Sequence, residues 1–255
     1  MTAHEKPQSG KAKENNALRE NVKTFIWAAI IAVLIRSLLV QPFNIPSSSM
    51  KPTLLIGDFL FVTKFSYGYS RHSFPFSPNL FSGRAMADVP ERGDVVVFKL
   101  PADNRTDFIK RVIGLPGDTV QMRDGALWIN GKPVEREEVE AFVDYVPGLG
   151  DRETRQYRET LPNGVSYFTL DQIVDGPADN TGVFTVPAGH YFMMGDNRDN
   201  SSDSRISSYV GYVPHENLVG PARILFFSFD DRYSMLKFWR WPVAIRYSRL
   251  LDSVN

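Results

Sequence analysis

Three stretches of the chain carry side chains that could do chemistry. In the first, Pro46-Ser47-Ser48-Ser49-Met50-Lys51-Pro52-Thr53-Leu54, three hydroxyls stand between prolines that fix the local backbone. The run continues into the apolar PTLLIGDFLFV, so these serines are either a linker turn or nucleophile candidates tethered to an ordered strand. The second stretch, DFIKRVIGLPGD at 107–118, sets Lys110 beside Arg111 in an apolar strand. Successive strand side chains face opposite ways, so one of the two must point inward. A buried lysine is costly as a cation, and a pKa lowered by about three units would leave a neutral amine near pH 7, competent as a general base. The alternative is a lysine snorkelling at a sheet edge.

The third stretch, Gly195-Asp196-Asn197-Arg198-Asp199-Asn200-Ser201-Ser202-Asp203-Ser204-Arg205, follows the apolar YFMM. It is either a solvated loop of Asx and Ser turns or a polar site component. A calcium loop is a poor match, because Arg198 falls at the third position from Asp196, and the twelfth positions from Asp196 and Asp199 are Ser207 and Val210 rather than Glu. Other chemistries are missing their parts. No cysteine is present, no G-x-S-x-G turn occurs, and His4, His72, His190 and His215 fall in no paired metal-ligand spacing, so no metal or cofactor is expected. Ser48-Ser49-Met50-Lys51 reads S-x-x-K, a penicillin-binding signature, but its K-T-G partner is absent and Pro52 disfavours the helix that motif needs.

The elements that must position these residues are mainly strands. With 18 Phe, 10 Tyr, 18 Gly and 17 Pro in 255 residues, the composition leans toward short strands and turns. Strand-like runs occupy 59–65, 94–100, 108–115, 119–123, 191–194 and 222–229, and TVQMR-DG-ALWIN predicts a hairpin over 119–130. Residues 134–186 are more charged and turn-rich, which predicts an inserted smaller β-rich lobe. The expected division is a disordered tail over 1–23, an anchor over 24–43, a β core over 44–133 and 187–255, and the lobe between. The apolar residues of the tail KFWRWPVAIRYSR at 237–249 are expected to pack on the core.

FIWAAIIAVLIRSLLV at 25–40 is apolar apart from Arg36 and Ser37. Extended to 22–43 as a helix, it spans about 33 Å, enough to cross a bilayer once with Arg36 snorkelling toward the nearer interface. The alternatives are a cleaved secretory signal and an interfacial amphipathic helix; bulky Val40-Gln41-Pro42-Phe43 offers no small-x-small site for the first, and an apolar face that runs all round disfavours the second. Lys6, Lys11, Lys13, Arg19 and Lys23 precede the segment while only Lys51 appears in the twenty residues after residue 43, so the N-terminus is expected in the cytoplasm and the body outside, with the lipid bilayer as a partner. Twenty-nine basic against twenty-nine acidic residues leave no field to hold nucleic acid.

Taken together, the anchor, FNIPSSSMKPTLLIGDFLFVTKFSYG, GDVVVFKLP, DFIKRVIGLPGD, MMGDNRDNSSDSR and GYVP resemble the bacterial type I signal peptidases, in order from about 36 to 229. The resemblance implies an all-β extracytoplasmic catalytic domain behind a single transmembrane helix in the plasma membrane. It implies a Ser/Lys endopeptidase with Ser49 as nucleophile and Lys110 as general base, acting as a monomer. Ser47 falls where the family supplies an oxyanion hydroxyl, Ser201 and Asp203 where it orients the lysine, and Arg205 where it pairs with Asp203. Ile45, Pro46, Met50, Leu54, Phe108 and Ile109 match pocket-lining positions, implying secretory precursors with small residues before the cleaved bond. Ser48 departs from the pattern, standing where many members have glycine. Two rivals are a self-cleaving relative with a similar dyad and an inactive, membrane-tethered β-domain that binds extended peptides.

Overall fold

The computed structural model of the chain describes residues 9–79, 81–146 and 150–254, with side chains from residue 18 onward. Helix α1 (Ser9–Leu38) carries the apolar segment. Its stretch Leu18–Leu38 would rise about 32 Å, enough to cross a hydrocarbon core. The apolar side chains of that stretch, from Phe25 to Ile35, face outward all round the helix rather than into the body. Two boundaries differ from expectation. Residues 9–23, read as disordered, continue the helix, because Lys, Ala, Glu, Leu and Arg are good helix formers once a nucleus exists beside them. Residues 1–8 of that expected tail lie outside the described residues. The helix also stops at Leu38 rather than running to residue 43, because Pro42 cannot donate to a helix and the chain pairs as a strand instead.

Fourteen strands follow among the described residues: β1 (Val40–Asn44), β2 (Asp58–Thr63), β3 (Val95–Lys99), β4 (Asp107–Gly114), β5 (Thr119–Arg123), β6 (Ala126–Ile129), β7 (Lys132–Pro133), β8 (Glu135–Val146), β9 (Gly150–Thr160), β10 (Ser166–Asp171), β11 (Phe184–Thr185), β12 (His190–Met194), β13 (Val213–Pro214) and β14 (Leu218–Ser228). Seven form one sheet in the order β1-β2-β14-β3-β4-β12-β13, and the long β8–β9 hairpin with β10 forms a separate sheet. The predicted hairpin is present as β5–β6, with Asp124 and Gly125 at φ 47° and 72°, the left-handed pair a primed two-residue turn requires. β11, inside the predicted insertion, returns to pair with β5.

The core holds three apolar clusters. One lies under the β5–β6 hairpin around Ile113, Met122, Leu127 and Phe192, and another around Val96, Phe98, Val112 and Leu218. The third gathers Ile45, Met50, Leu54, Leu60, Val62 and Leu225, so the segment bearing the three serines is held down on both sides of Ser49. Burying such side chains stabilises the fold by roughly 1.5–3 kcal/mol each relative to exposure.

The C-terminal tail does not pack as expected. Phe238, Trp239, Trp241, Val243 and Tyr247 are exposed, and of its apolar residues only Ala244 is buried. The tail is held instead by its backbone and arginines. Asp230 donates its N–H to Ala244, and Leu225 pairs with Leu251 and Asp252. Arg249 reaches the buried Asp58 at 2.6 Å, and Arg246 donates to the Ile56 carbonyl at 2.9 Å. These polar anchors fix the path while leaving the rings outward.

Candidate active site

Strand β4 brings the second stretch to the first. Lys110 Nζ lies 2.6 Å from Ser49 Oγ and also donates to the Ile109 carbonyl at 2.9 Å. Lys110 is 3% exposed and Ser49 8%. Burial lowers the Lys110 pKa from 10.5 to about 8; the Asp203 and Asp196 charges push it back up and Arg205 pushes it down. Desolvation wins because both carboxylates are already matched by arginines. Ser47 Oγ stands 3.4 Å from Ser49 Oγ, and both residues line the same cleft.

The third stretch braces this pair from behind. Asp203 is fully buried and accepts from Arg205 Nε at 2.9 Å, from Arg205 Nη2 at 2.8 Å and from the Gly195 N–H at 3.0 Å. Burial alone would raise the Asp203 pKa, but the Arg205 charge and these hydrogen bonds outweigh it and hold the carboxyl below its ordinary value. Ser201 Oγ is buried and makes no hydrogen bond of regular geometry, although it sits close enough to Asp203 to help lower that pKa. The hydroxyl expected to hold the lysine amine therefore does not reach it, and Ser49 Oγ and the Ile109 carbonyl are its partners. Gly195 is needed for this approach: a Cβ there would fall 2.5 Å from the Ser49 carbonyl oxygen and 2.2 Å from Ser201 Oγ.

Both members of the Lys110-Arg111 pair are buried, where the sequence required only one. Arg111 points to the opposite face and is fully paired: Nε and Nη2 reach Asp196 at 2.9 and 2.8 Å, Nη1 reaches the Gly93 carbonyl, and the guanidinium lies 4.2 Å from the Tyr167 ring centroid. Thr53 Oγ1 donates to the same Asp196 at 2.6 Å, tying the serine segment to the third stretch. Asn197 and Asn200 complete that tie. Asn197 donates its N–H to Ser49 O and its amide to Ser48 O, each at 3.1 Å, and Asn200 Nδ2 donates to Ser48 Oγ at 2.6 Å. Beneath them Arg198 is forked onto buried Glu159, which also accepts from Tyr167. Sequence reading singled out none of Thr53, Asp196, Asn197, Asn200 and Arg198 individually. The density of polar residues after YFMM was the signal available. Lys51, the lysine of the S-x-x-K match, turns away from the serines and pairs with Asp144 on β8 at 2.6 Å.

A cleft of about 490 Å³ opens over Ser49 and Lys110. Ile45, Pro46, Phe108 and Ile109 line it as expected, joined by Phe43, Asn44, Val97, Asp107, Asn200 and Ser202. Met50 and Leu54 do not line it; they are buried in the core beneath. Beside the cleft, β12 pairs with β4 only from Arg111 onward, so one edge of β4 is unpaired along 107–110. A hydroxyl in contact with a desolvated amine, next to an open strand edge, is the equipment of a serine hydrolase that takes extended chains.

The sequence matches the family described as signal peptidase, peptidase S26, over residues 18–227. It is 41% identical over 260 residues to a signal peptidase I of Rickettsia typhi, covering 95% of this chain and 96% of the relative. It is 42% identical over 262 residues to that of Rickettsia canadensis, covering 96% of each. A solved signal peptidase I from Enterococcus faecalis V583 shares 31% identity, with a TM-score of 0.31 over 52% of this chain and 97% of that one. The chain belongs to the signal peptidase family, peptidase S26.

Proposed function

We propose that this serine peptidase removes N-terminal signal peptides from secretory precursors, with Ser49 as nucleophile and neutral Lys110 as general base. The observation that carries the assignment is the 2.6 Å contact between Lys110 Nζ and Ser49 Oγ in a buried setting. With the amine neutral, Nζ takes the hydroxyl proton as Oγ attacks the peptide carbonyl carbon. The developing oxyanion is met by the Ser49 N–H, which makes no hydrogen bond to the described residues, and by the Ser47 hydroxyl. The C–N bond then breaks, and the leaving amine takes its proton from the Lys110 ammonium. Water attacks the resulting ester by the same proton route, releasing the cut signal peptide and restoring the serine. Asp203 and Arg205 hold Gly195 and the wall of the site, and Ser201 supports them at short range. The scheme calls on no metal or cofactor.

The precursor lies extended along the free edge of β4, adding a strand. Ile45, Pro46, Phe108 and Ile109 leave room for small side chains before the cleaved bond. The single span α1 is the anchor, with its basic N-terminal side in the cytoplasm and the catalytic domain outside, at the plasma membrane. The enzyme acts as a monomer, with 134–186 as a lobe set into the core of 44–133 and 187–255.

The test is direct. Purified protein and a secretory precursor should yield a shortened product, lost in Ser49→Ala and in Lys110→Ala. Uncut precursor with the native protein would favour a peptide-binding domain, and full activity in Lys110→Ala would remove the general base. Protease added outside intact spheroplasts should reach the body; full protection would reverse the orientation.

A further inference from the structure

A second cleft, of about 890 Å³, opens at the foot of α1. Its wall is shared between the anchor, through Val33 and Arg36, and the body, through Arg71, Lys99 and Arg105. Against those four cations stand two carboxylates, Asp103 and Asp107, and only Lys99 is closely paired, to Asp107 at 2.8 Å. Arg71 reaches no nearer than 3.9 Å to Glu216. Arg36 and Arg105 are exposed, and neither guanidinium makes a hydrogen bond or close ion pair with the described residues; Asp103, which accepts the Arg105 backbone N–H, is the carboxylate whose charge Arg105 feels. The surroundings carry the same positive excess. Lys64, buried close by, has its pKa lowered to about 8 by burial and by the Arg36 charge. His72, on the cleft wall, is lowered to about 4 by burial and by Arg71, so it stays neutral and leaves the charge of the cleft to the arginines and Lys99. On the rim Phe76 sits at φ 64° with its ring fully exposed, beside Phe74 and Pro75.

Two unpaired guanidiniums over an apolar helix and an apolar rim define the ligand's chemistry: an anionic oxygen group joined to a hydrocarbon. We propose that this cleft binds the phosphodiester headgroup of an anionic membrane phospholipid, held by Arg36 and Arg105, with its acyl chains along α1 and the 74–76 rim. Phe43 and Asp107 line this cleft and the catalytic one alike, so the lipid would fix the height of the dyad over the membrane surface. The inference rests on α1 being the membrane anchor.

The experiment uses the full chain purified in neutral detergent, with lipid retention read by native mass spectrometry. Phosphatidylglycerol should be retained in preference to phosphatidylcholine, and millimolar inorganic phosphate should leave that preference in place. Arg36→Gln with Arg105→Gln should weaken phosphatidylglycerol retention about tenfold, while the matching pair of lysine substitutions keeps most of it. Both residues are exposed and lie outside the dyad, so precursor cleavage in detergent should be unchanged in the glutamine variant. Equal retention of the two lipids by the native chain overturns the proposal, as does an unaltered preference in the glutamine variant. Loss of the preference to inorganic phosphate overturns it by assigning the cleft to the free ion. Flotation of the native chain with vesicles tests the anchor separately: a chain that floats without lipid preference loses this inference alone.

Discussion

Lys110 and Arg111 are neighbours on one strand, both buried, and the molecule treats them in opposite ways. On one face of β4, Arg111 is matched by a bidentate Asp196, a carbonyl and an aromatic ring, and its pKa is raised: burial would lower it, but the carboxylate outweighs burial. On the other face, Lys110 is given a hydroxyl and a carbonyl and no carboxylate in contact, and its pKa falls to about 8. A buried cation with a full set of partners is a structural tie. A buried cation denied them gives up its proton more readily, which is what the proposed mechanism asks of Lys110. The same strand thus carries a fixed charge and a removable one, and the protein separates them by where its aspartates are spent.

Breaking the Lys110 face should have the largest effect. Lys110→Met should lower kcat by about 10³ to 10⁴, the scale of a lost general base, measured by precursor cleavage. Because burial holds the folded Lys110 pKa below its ordinary value, the native fold loses stability as pH falls from 10.5 to about 8 and stays at that cost below it, so the same variant should melt at least as high as the native chain at pH 7. On the other face, Asp196→Ala leaves the Arg111 guanidinium buried without its carboxylate, and chemical denaturation should show a loss of about 3–5 kcal/mol. The two faces are then distinguished by outcome: one variant loses activity and keeps stability, the other loses stability first. If Ser47 meets the oxyanion as proposed, Ser47→Ala should reduce kcat by about 10² to 10³ with little change in KM. The smallest effect is expected for Asp144→Asn, which breaks the part-exposed pair with Lys51 and should change stability by no more than about 1 kcal/mol.

Much of this was legible in the residues because it is local. The Asp124-Gly125 turn needs only its own backbone, and the β strands on either side need only their alternation. The apolar strand around Lys110 marked it only as one of two residues that could point inward, and the serines read equally as a linker turn; it was the resemblance over several blocks in order that joined Ser49 to Lys110. The burial of Arg111 was not legible, because its partner Asp196 is 85 positions away and reads as one acid among several in a polar run. Met50 and Leu54 look like pocket residues in the text but face the core, since only the fold shows which side of the serine segment is covered. The tail at 237–249 misled for a related reason. Aromatic content predicts burial on average, yet here arginines bound to Asp58 and backbone pairing hold the segment, and the rings are left outside. Residues 9–23 misled through composition, since polar helix formers beside an apolar helix extend it.

Proton loss from Lys110 is the step the proposed mechanism needs, and the pH dependence of kcat/KM for precursor cleavage reads it most directly. Below about 8 the amine is protonated and cannot accept the Ser49 proton; above it the amine is neutral, so the rate should rise tenfold per pH unit up to about 8 and then level. A rate that stays flat through that range, or a limb that appears only near the ordinary lysine value of 10.5, would contradict a desolvated lysine as the base.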